Sequence, residues 1–297
     1  MCILESNTNT SLRVFQCTTN PKYMTRKCAP MCQSCDQVHL QTRCPPVDLQ
    51  APKVWHSGSL NDMFINLTTH LDHQKYNPQI LSRPTKVQDD VDHKAGPWIV
   101  VLDNFITDEE CNRLIELGAI EGYQRSNAVG QEMLDGTFEN LLNEARTSHN
   151  AWCKNKCYED PIAKRVMDRI ANITGIPEEN SEFLQLLKYS VGEFYKTHHD
   201  YIDYLQTRPQ GVRLLTVFLY LNDVNEGGGT NFPLLNITCM PKKGRALIWP
   251  SVLNDNPDVE DERTSHQALA VDRGIKYAAN AWLHQRDYKE PYQNDCQ

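Results

Sequence analysis

Short β-rich segments late in the chain, two capped helices ahead of them and a cysteine-dense start predict a mainly β, α+β protein. The expected architecture is an antiparallel sandwich or jelly roll with helices packed on one side, preceded by a small disulfide-rich module. Residues 1–45 form that module, because six of the 11 cysteines (Cys2, Cys17, Cys28, Cys32, Cys35 and Cys44) fall within them. The segment has few large apolar residues and cannot fold without staples. A zinc knuckle would want a second paired cluster, and His39 is the only nearby histidine, so disulfides are the favoured reading. Residues 46–96, with Pro46, Pro52, Pro78 and Pro84 among many polar residues, read as a linker.

From Pro97 the character changes. W-I-V-V-L-D (98–103) is a short apolar strand, and T-D-E-E after it places Thr107 as an N-cap with Glu110 at the capping-box position. Asp160-Pro161 opens a second helix running through Ile162, Val166 and Ile170 to Gly175. Residues 123–151 are long, polar and loop-like, which in a compact domain points to function. Strands follow at 183–189, 213–221, 245–249 and 276–284, divided by Gly, Pro, Asn and Asp.

Composition narrows the function classes. With 40% hydrophobic residues, the 297-residue chain is not wholly disordered. No run of about 18 apolar residues occurs, so no transmembrane segment is expected. A net charge of −8 argues against nucleic acid as a partner. Four sequons, at Asn9, Asn66, Asn172 and Asn236, stand beside the cysteine cluster and point to the secretory pathway, either the endoplasmic reticulum lumen or secretion. The start M-C-I-L-E-S has no basic region and no apolar core, so no signal peptide is visible in it. Cys153 and Cys157, in W-C-K-N-K-C, are candidates for a local disulfide.

The chemistry concentrates in Y-K-T-H-H-D-Y. On a strand, positions i and i+2 share a face, so His198 and Asp200 can converge on one point. They supply two thirds of a two-His-one-carboxylate set for Fe(II), which leaves three positions open. An H-x-D pair alone is common by chance, and a third ligand must come from another strand. His266 lies on a later segment, and Lys276 stands ten residues beyond it in K-Y-A-A-N-A-W-L-H.

Several linked motifs then resemble the prolyl 4-hydroxylase family of iron- and 2-oxoglutarate-dependent dioxygenases. They are P-W-I-V-V-L-D-N-F-I-T-D-E-E-C, Y-S-V-G-E-F-Y-K-T-H-H-D, R-L-L-T-V-F-L-Y-L-N-D, E-G-G-G-T-N-F-P, P-K-K-G-R-A-L-I-W and the final His-to-Lys-to-W-L-H run. The likeness covers roughly residues 97–290 and implies a double-stranded β-helix. It implies Fe(II) on His198, Asp200 and His266, and Lys276 pairing with the distal carboxylate of 2-oxoglutarate. Tyr189 and Thr230 would hydrogen-bond the same co-substrate, and Trp282 would lie close to the metal. Tyr195, Arg213 and, in R-T-S at the end of the 123–151 loop, Arg146 would touch the peptide. His199 and His284 receive no catalytic role, and His284 is expected to pack or hydrogen-bond at a strand end. One departure stands out: H-Q-A-L-A-V replaces the family's H-A-G-x-P-V after the distal histidine.

The implied activity is 4-hydroxylation of peptidyl proline, with 2-oxoglutarate decarboxylated to succinate and CO2, O2 consumed and L-ascorbate rescuing oxidised iron. The alternatives are hydroxylation of another residue type, such as lysine, on the same fold, and a catalytically silent secreted binding protein. Lys276 leans against the lysyl class, which usually anchors 2-oxoglutarate with arginine. The partner is a proline-rich peptide or protein, and the oligomeric state is open. The first 45 residues are similar to the toxin-type ShK-like six-cysteine module, which implies bridges Cys2–Cys35 and Cys17–Cys32. Leu12 stands where the remaining cysteine would be, leaving Cys28 without its usual partner and Cys44 as a substitute.

Overall fold

The computed structural model describes residues 17–19, 24, 29–44, 48, 50–84, 94–126, 128–132, 138–141 and 144–296. Two antiparallel sheets face each other. The larger runs Lys94–Ala95, β1 (Pro78–Arg83), β2 (Ile99–Leu102), β10 (Ala246–Pro250), β7 (Arg213–Tyr220), β12 (Lys276–His284), β5 (Gln185–Tyr189), β4 (His149–Trp152), β3 (Gln124–Arg125). The Lys94–Ala95 pairing with β1 is parallel. The smaller sheet is ordered β9 (Ile237–Cys239), β8 (Thr230–Phe232), β11 (His266–Ala268), β6 (Tyr195–His198). This is the expected jelly roll.

The two-residue period sorts the core. On β2, Ile99 and Val101 point between the sheets, where they meet Phe232 and Ile237, while Val100 and Leu102 point outward to the helices. On β12, Ala279, Ala281 and Leu283 join the helical side, leaving Lys276, Ala278 and Trp282 facing inward. Both anticipated helices form. α2 (Asp108–Glu121) opens on a full capping box: Thr107 Oγ1 accepts from the Glu110 N–H at 3.2 Å, and Glu110 Oε2 accepts from the Thr107 N–H at 2.9 Å. α3 (Pro161–Thr174) is capped by Asp160 and ends on the left-handed Gly175. Arg169 on α3 donates two hydrogen bonds to Glu110, fastening the two helices.

The structure departs from expectation at four places. Residues 46–96 are not simply a linker, because α1 (Ser59–Thr69) and β1 lie within them. Leu60, Met63, Phe64 and Leu67 on α1 are buried at helical spacing, and Phe64 stacks on Trp98 with ring centroids 5.4 Å apart. The prolines flanking that helix hid its period. Residues 123–151 also contain structure: β3, β4 and a hairpin pairing Ala128–Glu132 with Phe138–Leu141. Polar strands of this kind give little apolar alternation to read.

The cysteine module differs as well. Cys17–Cys32 forms, whereas Cys35 carries a free thiol facing solvent, so the implied Cys2–Cys35 bridge is not made. Cys44 is no substitute partner for Cys28, because it bonds Cys296, 252 positions away. Cys2, Cys28 and Asn9 lie outside the described residues, and a ShK-like module is not established. Cys153–Cys157 is bridged as expected. Asn66, Asn172 and Asn236 are exposed. Among the described residues, no helix is long and apolar enough to cross a membrane.

The Cys44–Cys296 bridge closes nearly the whole chain into a loop, which restricts the unfolded ensemble. Replacing both cysteines by serine is expected to cost roughly 2–5 kcal/mol. Non-reducing thermal melts would measure this, and an unchanged melting temperature would show that the bridge does not stabilise the native state.

Candidate active site

Strand pairing brings the first three candidates together. β6 and β11 run antiparallel with His198 opposite His266, and Asp200 follows two residues after β6 ends. The ligand-capable atoms of the three side chains all lie within 4.8 Å of one another. His198 Nδ1 hydrogen-bonds the Lys196 carbonyl at 2.8 Å and His266 Nδ1 the Thr264 carbonyl at 3.0 Å, leaving both Nε2 atoms turned toward Asp200. Such backbone contacts fix the tautomer that a metal-binding imidazole needs. Burial holds both imidazoles below their ordinary pKa, so they are neutral donors at pH 7. Burial pushes the Asp200 carboxyl up, but the neighbouring imidazoles, Arg213 and a 2.6 Å hydrogen bond from Thr216 Oγ1 outweigh it and keep it ionised. Among the described residues this is the one His/Cys/Asp/Glu group arranged to hold a metal ion. His199 points away, to Thr264 and the Asp261 carbonyl.

Deeper between the sheets, β12 and β5 pair Lys276 with Tyr189. Lys276 is fully buried, and its Nζ has no hydrogen-bond partner among the described residues. The rings of Tyr189, Phe218 and Tyr220 surround it, each centroid 5.1–5.4 Å away. Aromatic faces soften the isolation of a cation but do not replace a counter-ion. Burial drives this lysine's pKa down to about 7. Thr230, buried on β8, accepts a hydrogen bond from the Tyr220 hydroxyl at 2.7 Å. Gly227, paired with Val271, and Gly228 are both left-handed, and a Cβ on Gly227 would meet the Ala270 carbonyl oxygen at 2.4 Å. An orphaned ammonium deep behind a cluster of neutral imidazoles and one carboxylate is a fit for a dianion reaching from the metal into the interior.

The cluster opens outward into a cavity of about 700 Å³ that includes Arg146, Tyr195, Arg213, Trp282, Trp152 and Tyr204. Tyr195 stacks on His198 with centroids 3.5 Å apart, and Arg146 lies over the Tyr195 ring, 4.8 Å from its centroid. Arg213 lies 3.9 Å from the Trp282 ring centre, and both line the approach to His198 and Asp200. Arg213 is held by Glu182, which accepts from its Nε at 2.6 Å and also contacts His284 Nε2 at 3.0 Å. Burial alone would raise the Glu182 carboxyl, but Arg213 and His284 bring it to about 2. His284 thus has the structural role expected of it at a strand end. The Cys153–Cys157 bridge stands beside Trp152 and Lys154 on the cavity wall.

Comparison with known proteins gives a consistent answer. The family model described as the 2OG-Fe(II) oxygenase superfamily matches residues 184–284. Prolyl 4-hydroxylase 5 of Arabidopsis thaliana is 33% identical over 214 residues, which cover 65% of this chain and 70% of that protein. The chain belongs to the prolyl 4-hydroxylase family. The prolyl 4-hydroxylase subunit alpha-1 of Mus musculus is 31% identical over 72% of this chain, but the match spans only 39% of that subunit. The viral collagen prolyl hydroxylase of Paramecium Bursaria Chlorella virus-1, solved with 2OG, superposes with a TM-score of 0.50 at 26% identity, covering 64% of this chain and 96% of that one. Fe(II) and 2-oxoglutarate are accordingly the metal and co-substrate of this family member, and the donor set and the orphaned lysine fit both.

Four supporting residues escaped the sequence reading. Thr216 had a signal, as a polar residue inside the apolar run R-L-L-T-V-F-L-Y. Glu182, Ser148 and Cys296 had none, because Arg213, His284, Ser126 and Cys44, which they contact, lie 22 or more positions away.

The lysine has a pH signature. Its folded pKa of about 7 lies below its ordinary 10.5, so between those values the unfolded chain binds the extra proton and the ligand-free protein gains stability as pH rises. A bound carboxylate reverses this by restoring the charge. Binding of 2-oxoglutarate is therefore expected to take up a proton and to weaken as pH rises above 7. Calorimetry in buffers of different ionisation enthalpy reads this directly. Binding that neither takes up protons nor changes with pH would remove Lys276 as the partner.

Proposed function

We propose that the protein is a peptidyl-proline 4-hydroxylase in which His198, Asp200 and His266 hold Fe(II) and Lys276 anchors 2-oxoglutarate. The observation that carries this reading is the pairing of the buried His/Asp/His cluster with an unpartnered buried lysine one layer deeper. When bound, the iron and 2-oxoglutarate supply the oxidising chemistry, with O2 consumed and succinate and CO2 released as oxygen is transferred to proline C4. The chain's own residues supply positioning. Lys276, with the Tyr189 and Thr230 hydroxyls, binds the distal carboxylate and so orients the α-keto end toward the metal ligands. Low-dielectric surroundings strengthen that ion pair. Trp282 and Tyr195 wall the space beside His198, exclude water and offer flat faces to a proline ring. Arg213, immobilised by Glu182, and Arg146, resting on Tyr195, orient the peptide backbone. L-ascorbate keeps the iron reduced.

Three bridges among the described cysteines support an oxidising compartment, consistent with the endoplasmic reticulum or secretion. Asn66, Asn172 and Asn236 are accessible for glycosylation there. An added oxygen on C4 of proline in a proline-rich peptide, formed together with succinate, is the expected product. His198→Ala is expected to abolish both products. Lys276→Ala is expected to weaken 2-oxoglutarate binding on the order of 100-fold, the worth of one buried charged contact. Mass spectrometry locating the oxygen on lysine would refute the substrate class, and equal turnover by His198→Ala would refute the site.

A further inference from the structure

One cation on the cavity wall has no part in the roles above. Lys154 is half-buried, and its Nζ lies over three aromatic rings, 4.4 Å from the Tyr292 centroid, 5.4 Å from Trp152 and 5.7 Å from Phe183. Aromatic faces attract and orient an ammonium without neutralising it, and they leave its N–H donors free for an anion. The backbone beneath it is fixed. The Lys154 N–H donates to the Trp152 carbonyl at 2.8 Å, its own carbonyl accepts from the Cys157 N–H at 3.0 Å, and the Cys153–Cys157 bridge spans it. The C-K-N-K-C bridge thus presents this lysine on a rigid corner, where its exposed neighbour Asn155 also lines the cavity.

The charge around it is one-sided. Arg125, Arg146, Lys154 and Arg213 line the cavity against two carboxylates, Asp200 and Glu121. Asp200 belongs to the metal-ligand set, Arg213 is already matched by Glu182, and Glu121 Oε1 accepts from the Cys157 N–H at 3.1 Å. Arg125 and Arg146 donate to the Ser148 carbonyl, the Ser148 hydroxyl and the Gln185 side chain. Among the described residues, neither they nor Lys154 pair with a carboxylate. In a chain of net charge −8, the cavity has the opposite sign to the whole.

A row of rings leads from the metal ligands to this lysine. Arg213 lies over Trp282, the Trp282 and Trp152 centroids are 6.2 Å apart, and Lys154 lies over Trp152. At about 3.1 Å per residue, the two steps from Trp282 to Lys154 Nζ span no more than about four residues of a polyproline II chain. We propose that Lys154 is a specificity-determining residue that reads an acidic side chain, so that preferred substrates carry Asp or Glu within about four residues of the reacting proline. That carboxylate supplies the counter-ion Lys154 lacks while the proline stands beside Trp282. The inference rests on the proline-hydroxylase reading above and names the peptide class within it.

The test compares labelled proline-rich peptides that carry Glu, Gln or Lys at each position within about four residues of a single proline. Binding to protein loaded with Mn(II) and 2-oxoglutarate is followed by fluorescence anisotropy, and turnover of the same peptides by hydroxyproline formation. In wild type, Glu at one or more of these positions is expected to bind about fivefold tighter than Gln, the worth of one partly exposed ion pair, and Lys weaker than Gln. Lys154→Gln is expected to bring the Glu-to-Gln ratio close to one, and Lys154→Glu to turn the preference toward the lysine peptide. Both peptides meet the same protein, so any misfolded fraction cancels from the ratio. Raising salt is expected to shrink the wild-type preference. Equal binding of Glu and Gln peptides by wild type, or a preference that survives both substitutions, overturns the inference. A Glu preference in binding with no hydroxyproline formed would instead refute the proline-hydroxylase reading and leave the acidic preference standing.

Discussion

The register between β6 and β11 is the constraint on which the site depends. It sets His198 opposite His266 and leaves Asp200 at the strand end, where Thr216 on the facing sheet reaches it. Side chains alternate with a period of two, so a slip of one residue would turn the histidines away from each other. Several contacts oppose that slip. Gln267 on β11 bonds Asn231 on β8, His199 is anchored to the 261–264 turn, and β8 also pairs with β9. The metal-ligand geometry is therefore a property of the smaller sheet, whereas the lysine belongs to the larger one. The site exists only where the two sheets face each other.

Charge is handled differently at three depths. At the back, Lys276 stands among aromatic rings with no hydrogen-bond partner among the described residues. In the middle, two imidazoles held neutral flank a carboxylate held charged. At the mouth, Glu182, Arg213 and His284 form a closed network that is complete without ligand. In the proposed reading the unpaired member would meet the co-substrate, while the self-satisfied network shapes the entrance. An orphaned buried charge is tolerated where a ligand can complete it.

Much of this was legible from residue order. His198 and Asp200 share a strand face by period alone, the capping box at Thr107 and Glu110 reads directly, and the β12 alternation carries Lys276 and Trp282 on one side. What failed to read was long-range or weakly patterned. α1 sits among prolines that mimic a linker, although Leu60, Met63, Phe64 and Leu67 carry a helical period. Cys44 finds Cys296 across the chain, and no local spacing encodes that pairing. Cys35 is unpaired although the resemblance of its neighbourhood implied a bridge, because the likeness conveyed a pattern and not the placement of the thiol. Glu182 and Ser148 act through tertiary contacts with no signature of their own.

One interior strand of the larger sheet comes late in the chain. β12 lies between β7 and β5, although about 55 residues of sequence separate it from the end of β7. During synthesis, β5 and β7 emerge with their inner edges unpaired, and they stay so until residues 276–284 leave the ribosome. A nascent chain at that stage holds His198, Asp200 and His266 but lacks the strand that backs them. Completion of the site and sealing of the exposed strand edges thus wait on residues 276–284. Before then, those open edges are where a chaperone has something to shield.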